Sequence, residues 1–276
     1  MTNEIYPCLW FDGQALAAAD FYCSIFHQSR IISDTPMVVM FEINGKKIMG
    51  INGSPMFKMN PSISMFLHCT SIEECDRIWN GLSVGATILM AMDKYPWSEQ
   101  YGWLQDKFGF TWQVMKSDNA DKMMPAMLFT GKQMGKAVEA LDFYTNTFKN
   151  STIEMKNFYP EGSPYEGSIS YADFNIDSYP LVAMDGPNEH DFTFNEGVSF
   201  VLNCKNQDEI DYFWNTFTKE GGEESMCGWC KDKYGIFWQV IPHNMGALIN
   251  NSDKGSRAIQ AMLKMKKLDL ATLENA

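Results

Sequence analysis

The chain has 276 residues, 45% of them hydrophobic and 20% charged, with a formal net charge of −12. This is enough apolar material for real cores and enough length for two domains, and it is not a disordered composition. The acidic balance and the lack of a long basic run speak against nucleic-acid and anionic-membrane binding, no stretch approaches the ~18 apolar residues of a membrane span, and MTNEIYPCLW lacks a basic and apolar leader, so a cytoplasmic protein is expected.

In chain order, the apolar strand YPCLWF (Tyr6–Phe11) runs into a Gly-containing turn and then the helix ALAAADFYCSIF (Ala15–Phe26), whose apolar residues recur at helical spacing. Two strands follow, MVVMFEING (Met37–Gly45) and KKIMGING (Lys46–Gly53). A second strand–helix pair comes next, SMFLHC (Ser64–Cys69) with SIEECDRIWN (Ser71–Asn80). The segment GWLQDKFGFTWQVM (Gly102–Met115) closes the first half.

The same series then recurs. MPAMLF (Met124–Phe129) and the helix KAVEALDFYTNTF (Lys136–Phe148) precede the strands GSISYADFNI and YPLVAMDG. The segment EGVSFVLNCKNQDEIDYFWN (Glu196–Asn215) matches Ser62–Asn80 at an offset of 135, pairing Ser64 with Ser199, Cys69 with Cys204 and Trp79 with Trp214. GWCKDKYGIFWQVI (Gly228–Ile241) matches Gly102–Met115 at an offset of 126, with ten of fourteen positions identical or closely similar. Matches in the same order with changing offsets mark a duplication with loop insertions. The expected organisation is a domain over 1–118, a second over 122–247, and a helical tail over 248–276 containing one amphipathic helix, GSRAIQAMLKMKKLDLATLENA.

Seven cysteines at uneven spacings favour reduced thiols over a disulfide framework. Cys227-Gly228-Trp229-Cys230 has C-x-x-C spacing, but it aligns with Tyr101–Leu104 of the other copy and precedes a strand, not a helix N-terminus as in a thioredoxin-like redox site. Asp106-Lys107 and Asp232-Lys233 read as turns with a solvated ion pair.

Period-two alternation defines the candidate cleft linings. Ser64, Phe66 and His68 share one face of a strand; Tyr6, Cys8 and Trp10 share another; Gln113 and Thr111 share a third. If these faces are concave, the first repeat holds an aromatic cleft with a few polar groups, as ligand pockets do. The substrate-binding set is then Cys8, Trp10, Ser64, Phe66, Trp97, Tyr101 and Gln113, with His68 as general base or hydrogen-bond partner. The alternative for His68 is a strand histidine bonded to a neighbour. The segment from Tyr95 to Trp103 reads equally as a lid or as core filling. The second repeat has Leu128, Val201 and Asn203 where the first has Trp10, Phe66 and His68, so the first is expected to carry the activity.

Paired β-α-β-β-β units of this kind resemble the vicinal oxygen chelate, or glyoxalase/bleomycin-resistance, superfamily. Within it, WFDGQALAAADFYCSIF, MGINGSP, KYPWSEQYGWLQDKFGFTWQVM and CGWCKDKYGIFWQVIPH resemble the PhnB-like family, often labelled demethylubiquinone-methyltransferase-like. The resemblance implies an α+β fold of tandem modules with curved mixed sheets, packed as a pseudo-dimer. It also implies metal ligands at unit-opening positions near Tyr6, Ser64, Met124 and Ser199 and unit-closing positions near Gly50, Gln113, Ala183 and Gln239. Only the two glutamines there are ligand types, so neither metal nor cofactor is expected. The methyltransferase label finds no Gly-rich strand–turn–helix followed by an acidic residue. The functional expectation is a small-molecule-binding protein or metal-independent enzyme, monomeric or homodimeric. A metal-dependent lyase, isomerase or dioxygenase and a non-catalytic sequestering protein are the alternatives.

Overall fold

The computed structural model describes residues 2–118, 122–186 and 190–276. Strand β1 (Glu4–Phe11) leads into helix α1 (Ala15–Ile25), then β2 (Ser29–Asp34), β3 (Val38–Ile43) and β4 (Lys46–Asn52). The series repeats as β5 (Ile63–Cys69), α2 (Ile72–Leu82), β6 (Thr87–Tyr95), β7 (Ser98–Gln105) and β8 (Thr111–Lys116). It repeats again as β9 (Lys122–Phe129), α3 (Ala137–Thr147), β10 (Thr152–Phe158), β11 (Ile169–Ile176) and β12 (Tyr179–Asp185). The fourth unit is β13 (Val198–Cys204), α4 (Gln207–Phe217), β14 (Glu223–Glu224), β15 (Trp229–Lys231) and β16 (Phe237–Pro242). Helices α5 (Met245–Ile249), α6 (Gly255–Met262) and α7 (Leu270–Glu274) complete the chain.

Local chemistry accounts for these elements. Helix α1 buries Ala15, Ala18, Ala19, Tyr22 and Ile25, a stripe at helical spacing. The Ser71 hydroxyl accepts from the Glu74 amide at the start of α2, and Asn206 accepts from the Glu209 amide at the start of α4. Both helices carry two acidic residues in the first turn, where the helix dipole favours them. Asn44 and Gly45 both adopt positive φ, the geometry of the tight turn joining β3 to β4.

The strands form two eight-stranded mixed sheets, β14-β15-β16-β13-β1-β4-β3-β2 (sheet A) and β10-β11-β12-β9-β5-β8-β7-β6 (sheet B). Each sheet therefore joins one unit from the first repeat to one from the second. The seams are antiparallel: Cys8 faces Ser199 across β1–β13, and Ser64 faces Ala126 across β5–β9. The odd-numbered side of β5 (Met65, Leu67, Cys69) joins the main core, which also takes in Leu9, Trp112, Trp238 and the buried stripes of α1 to α4. The even-numbered side of β5 is left for the opposite face.

The D-K-[FY]-G-x-x-W block is explained by a buried carboxylate. Asp106 Oδ2 accepts from the Tyr22 hydroxyl at 2.7 Å and the Trp112 indole at 2.8 Å, while Oδ1 accepts from the Phe108 and Phe110 amides. Asp232 repeats this with Tyr144, Trp238, Tyr234 and Ile236. At 4% and 1% exposure these aspartates are core posts that tie a helix, a turn and a strand together, which corrects the expectation of solvated ion pairs. Lys107 does not pair with Asp106; its ammonium lies 4.1 Å from the centre of the Phe21 ring.

Gly102, four residues before Asp106, lets β7 pass against α2. A Cβ there would stand 2.6 Å from the Trp79 ring and 3.1 Å from the Met92 Cα. Gly102→Ala is expected to cost about 1–3 kcal/mol by overpacking, read as a lower urea midpoint at unchanged m-value. An unchanged midpoint would mean that Trp79 relaxes freely.

The tail departs from the expected single helix. The carbonyls of Met265 and Lys266 accept from the amides of Cys227 and Gly228, so the chain leaves α6 through a turn and a bend. Asp269 then caps α7 through the Thr272 amide.

Candidate functional site

On β5, Ser64, Phe66 and His68 point away from the core onto one face of sheet B. Their row partners come from both repeats. Ser64 lies between Thr111 and Ala126, Phe66 between Gln113 and Met124, and His68 between Met115 and Lys122. Phe66, Tyr101, Trp103, Met124, Ala126 and Val182 form a separate buried cluster there, edged by Met90, Tyr95, Tyr171, Met184 and Phe192. Of the expected site residues, His68, Ser64, Phe66, Tyr101 and Gln113 thus come together.

Cys8 and Trp10 lie elsewhere, on sheet A, where Tyr6, Cys8, Met49 and Val201 make a second small cluster. Trp10 packs against Phe57 and Trp229, and its indole donates to the Ser54 carbonyl. The face that opposes His68 is supplied by β9, β11 and β12, because β5 pairs with β9 and not with β1. Trp97 stands at the tip of the β6–β7 hairpin, 58% exposed, stacked on Tyr95 at 5.0 Å and edge-on to Tyr101 at 5.7 Å. It borders the cluster as the end of a paired hairpin.

Five buried polar atoms on or beside this face have no hydrogen-bond partner among the described residues: His68 Nδ1 and Nε2, Trp103 Nε1, Tyr171 Oη and Asp173 Oδ1. His68 is 6% exposed, and burial lowers its pKa to about 4, which keeps the imidazole neutral at pH 7. Its ring meets Phe66 edge-on at 5.2 Å. Asp173 Oδ2 accepts from the Lys122 ammonium at 2.9 Å, which leaves only Oδ1 open. His190 reaches the same region from the β12–β13 connection, 6.3 Å from the Trp103 ring and stacked on Phe192 at 4.8 Å.

Tyr171, Asp173 and His190 were missed by sequence reasoning, which carried Trp103 only within the segment from Tyr95 to Trp103. A buried aspartate in mid-strand of SYADF was the one available signal. Its relation to His68 depends on pairing between repeats, which periodicity does not encode.

The positions implied for metal ligands are otherwise engaged. Gln113 donates to Ser64 Oγ at 2.7 Å and accepts from the Tyr101 hydroxyl at 2.7 Å; Gln239 donates to Ser199 Oγ at 3.0 Å. Across the seam of sheet B, Met124 and Ala126 offer a thioether and a methyl. On sheet A, burial pushes the Cys8 thiol up to about 12, so it is held protonated. These groups do not fit a divalent-metal centre, which generally takes three or four N, O or thiolate ligands. No group of three or more His, Cys, Asp or Glu able to hold a cation occurs among the described residues. Burial also raises Cys227 and Cys230, so neither thiol of the C-x-x-C pair is activated. No helix among the described residues is long and apolar enough to cross a membrane.

Comparison with known proteins gives the fold and the family. Glyoxalase I from Zea mays is similar over 86% of this chain and 92% of its own, at 10% identity and a TM-score of 0.56, a likeness of fold alone. A PhnB protein from Bacillus cereus is 32% identical over 41% of this chain and 98% of its own, with a TM-score of 0.39. A protein from Staphylococcus aureus is 30% identical over 42% of this chain and 97% of its own, with a TM-score of 0.19. No curated protein matches the chain. The family model described as 3-demethylubiquinone-9 3-methyltransferase matches twice, over residues 3–115 and 121–241, and so accounts for both repeats. The chain therefore belongs to the PhnB-like family described as 3-demethylubiquinone-9 3-methyltransferase, duplicated in tandem within the glyoxalase-like fold.

Proposed function

We propose that the aromatic face of sheet B binds a small, flat, largely apolar molecule, with His68 as its hydrogen-bond partner or general base. The observation that carries this reading is the set of five unpartnered polar atoms at or near one apolar face. Each such atom costs about 1–3 kcal/mol when left unsatisfied, so native proteins hold few of them. A ligand that presents complementary groups there removes that cost while stacking on Phe66, Trp103 and Tyr171. Sheet A supports no equal reading: among the described residues none of its strands carries an unpartnered buried side-chain polar atom, and Asn203 donates to Glu4 at 2.6 Å.

Both halves of the face come from one chain, so the site is complete in a monomer. This reading takes a site shared between the repeats, where the sequence led to the expectation of a site in the first repeat. The methyl transfer in the family's description is not carried over, since the likeness on which it rests is one of sequence and fold. A metal-dependent reaction has no support from the donor set described above.

The test begins with native mass spectrometry to identify a bound molecule, followed by titration of that molecule into variants. His68→Asn and Tyr171→Phe are each expected to weaken binding at least about tenfold, the cost of one buried hydrogen bond. Trp10→Phe and Gln239→Met on sheet A are expected to leave binding within about twofold. Losses confined to the sheet A variants would overturn the reading. Product formation on incubation separates an enzyme from a sequestering protein.

A further inference from the structure

A cavity of about 660 Å³ opens at the C-terminal end of β5, where the face of sheet B meets the β3–β4 turn of sheet A. That volume is within the range of small-molecule sites, ~300–1,000 Å³. His68 and Asp173 line it, and they connect it to the aromatic face.

The charges of its wall leave a defined remainder. Arg77 is held by Glu74 at 2.7 Å and Lys122 by Asp173 Oδ2 at 2.9 Å, while the exposed Glu154 at the rim accepts from the Thr152 hydroxyl and the Asn175 side-chain amide. Lys46 remains: it has no carboxylate partner among the described residues, it sits 5.7 Å above the Tyr179 ring, and burial lowers its pKa. Asp173 Oδ1 remains as a buried acceptor without a donor, and His68 keeps one donor and one acceptor nitrogen free. The wall thus asks for an anion at Lys46 and for a cationic or neutral donor at Asp173. A purely anionic head group would leave Asp173 Oδ1 unmet, and a purely cationic one would leave Lys46 unmet.

We propose that this cavity is the head-group compartment of the sheet B site and that it takes a zwitterion, an α-amino acid whose carboxylate meets Lys46 and His68 and whose ammonium meets Asp173. The assignment rests on the sheet B reading above, with an aromatic side chain lying against Phe66. It identifies the ligand class as aromatic amino acids and closely related amino acids.

The probes are phenylalanine, N-acetylphenylalanine, phenylalaninamide and indole, titrated by calorimetry into the full chain. Phenylalanine is expected to bind at least tenfold more tightly than either derivative. In Lys46→Gln its advantage over the amide is expected to fall below twofold, with its advantage over the N-acetyl compound retained. In Asp173→Asn the reverse is expected. Lys46→Gln, at the first residue of β4, keeps a long polar side chain there, and urea denaturation checks that it folds as the parent does. Equal affinity for all three phenylalanine compounds, or no binding of any of them, overturns the inference. Retained indole binding in that case leaves the aromatic face standing, whereas loss of indole binding as well removes the sheet B reading itself.

Discussion

Replacing Asp106 by alanine is expected to lower the free energy of unfolding by about 3–5 kcal/mol, since each buried donor stripped of its partner costs about 1–3 kcal/mol. The carboxylate is the shared acceptor of four donors: the Tyr22 hydroxyl, the Trp112 indole and the Phe108 and Phe110 amides. Alanine leaves all four without this partner, three of them buried, and each of those is costly. Asp232→Ala is expected to behave alike, because its four donors are the same in kind. The loss is a large part of the ~5–15 kcal/mol that holds a typical domain together. Asp106→Asn keeps one carbonyl oxygen and is expected to cost less than alanine. Lys107→Ala removes only a cation lying over Phe21 and is expected to cost about 1 kcal/mol or less. Urea denaturation of the four variants decides the matter. If Lys107→Ala costs as much as Asp106→Ala, the motif works through its surface charge and the buried post is misassigned.

The second large effect is on the pH dependence of stability. Burial holds the His68 imidazole at about 4, against an ordinary 6.5 in the unfolded chain; Asp173 raises it slightly and Lys122 lowers it. The unfolded chain therefore takes up this proton first as pH falls. The stability tied to His68 is present above pH 6.5 and is lost as pH drops towards 4. The interval is worth roughly 3 kcal/mol. His68→Phe is expected to lose that much less stability than the parent protein between pH 7 and pH 4. The buried aspartates titrate in the opposite sense, since burial pushes both carboxyl groups up, and they cancel in the difference between the two proteins. A stability difference that stays constant from pH 7 to pH 4 would show that His68 takes up its proton alike in both states, as a solvated imidazole does. Ligand bound against the neutral ring is expected to move the loss to lower pH, because it opposes protonation further.

Local pattern was enough for much of this molecule. Alternation in SMFLHC put Ser64, Phe66 and His68 on one side of a strand, helical spacing in ALAAADFYCSIF defined the buried stripe of α1, and the two related blocks at Gly102 and Gly228 exposed the duplication. These features follow from the chain's own periods, 2.0 and 3.6, and need no distant partner.

The seam did need one. Whether β5 lies beside β1 or beside β9 depends on which apolar faces pair across more than fifty residues, and every candidate strand presents a similar apolar face. The chosen pairing separated Cys8 and Trp10 from His68 and brought Tyr171 and Asp173 beside it. The same limit applies at Asp106, whose sequence neighbour Lys107 suggested an ion pair. Its hydroxyl donor, Tyr22, is 84 residues away on α1, and only the packed helix delivers it. In the tail, helical pattern runs through Met265 and Lys266, but their carbonyls pair with Cys227 and Gly228 and the helix stops. Sequence by itself determined which residues share a face and that the pattern occurs twice. Tertiary structure decided which faces meet, because hydrogen bonding between strands is indifferent to side-chain identity and the burial that selects a partner is a property of the whole fold.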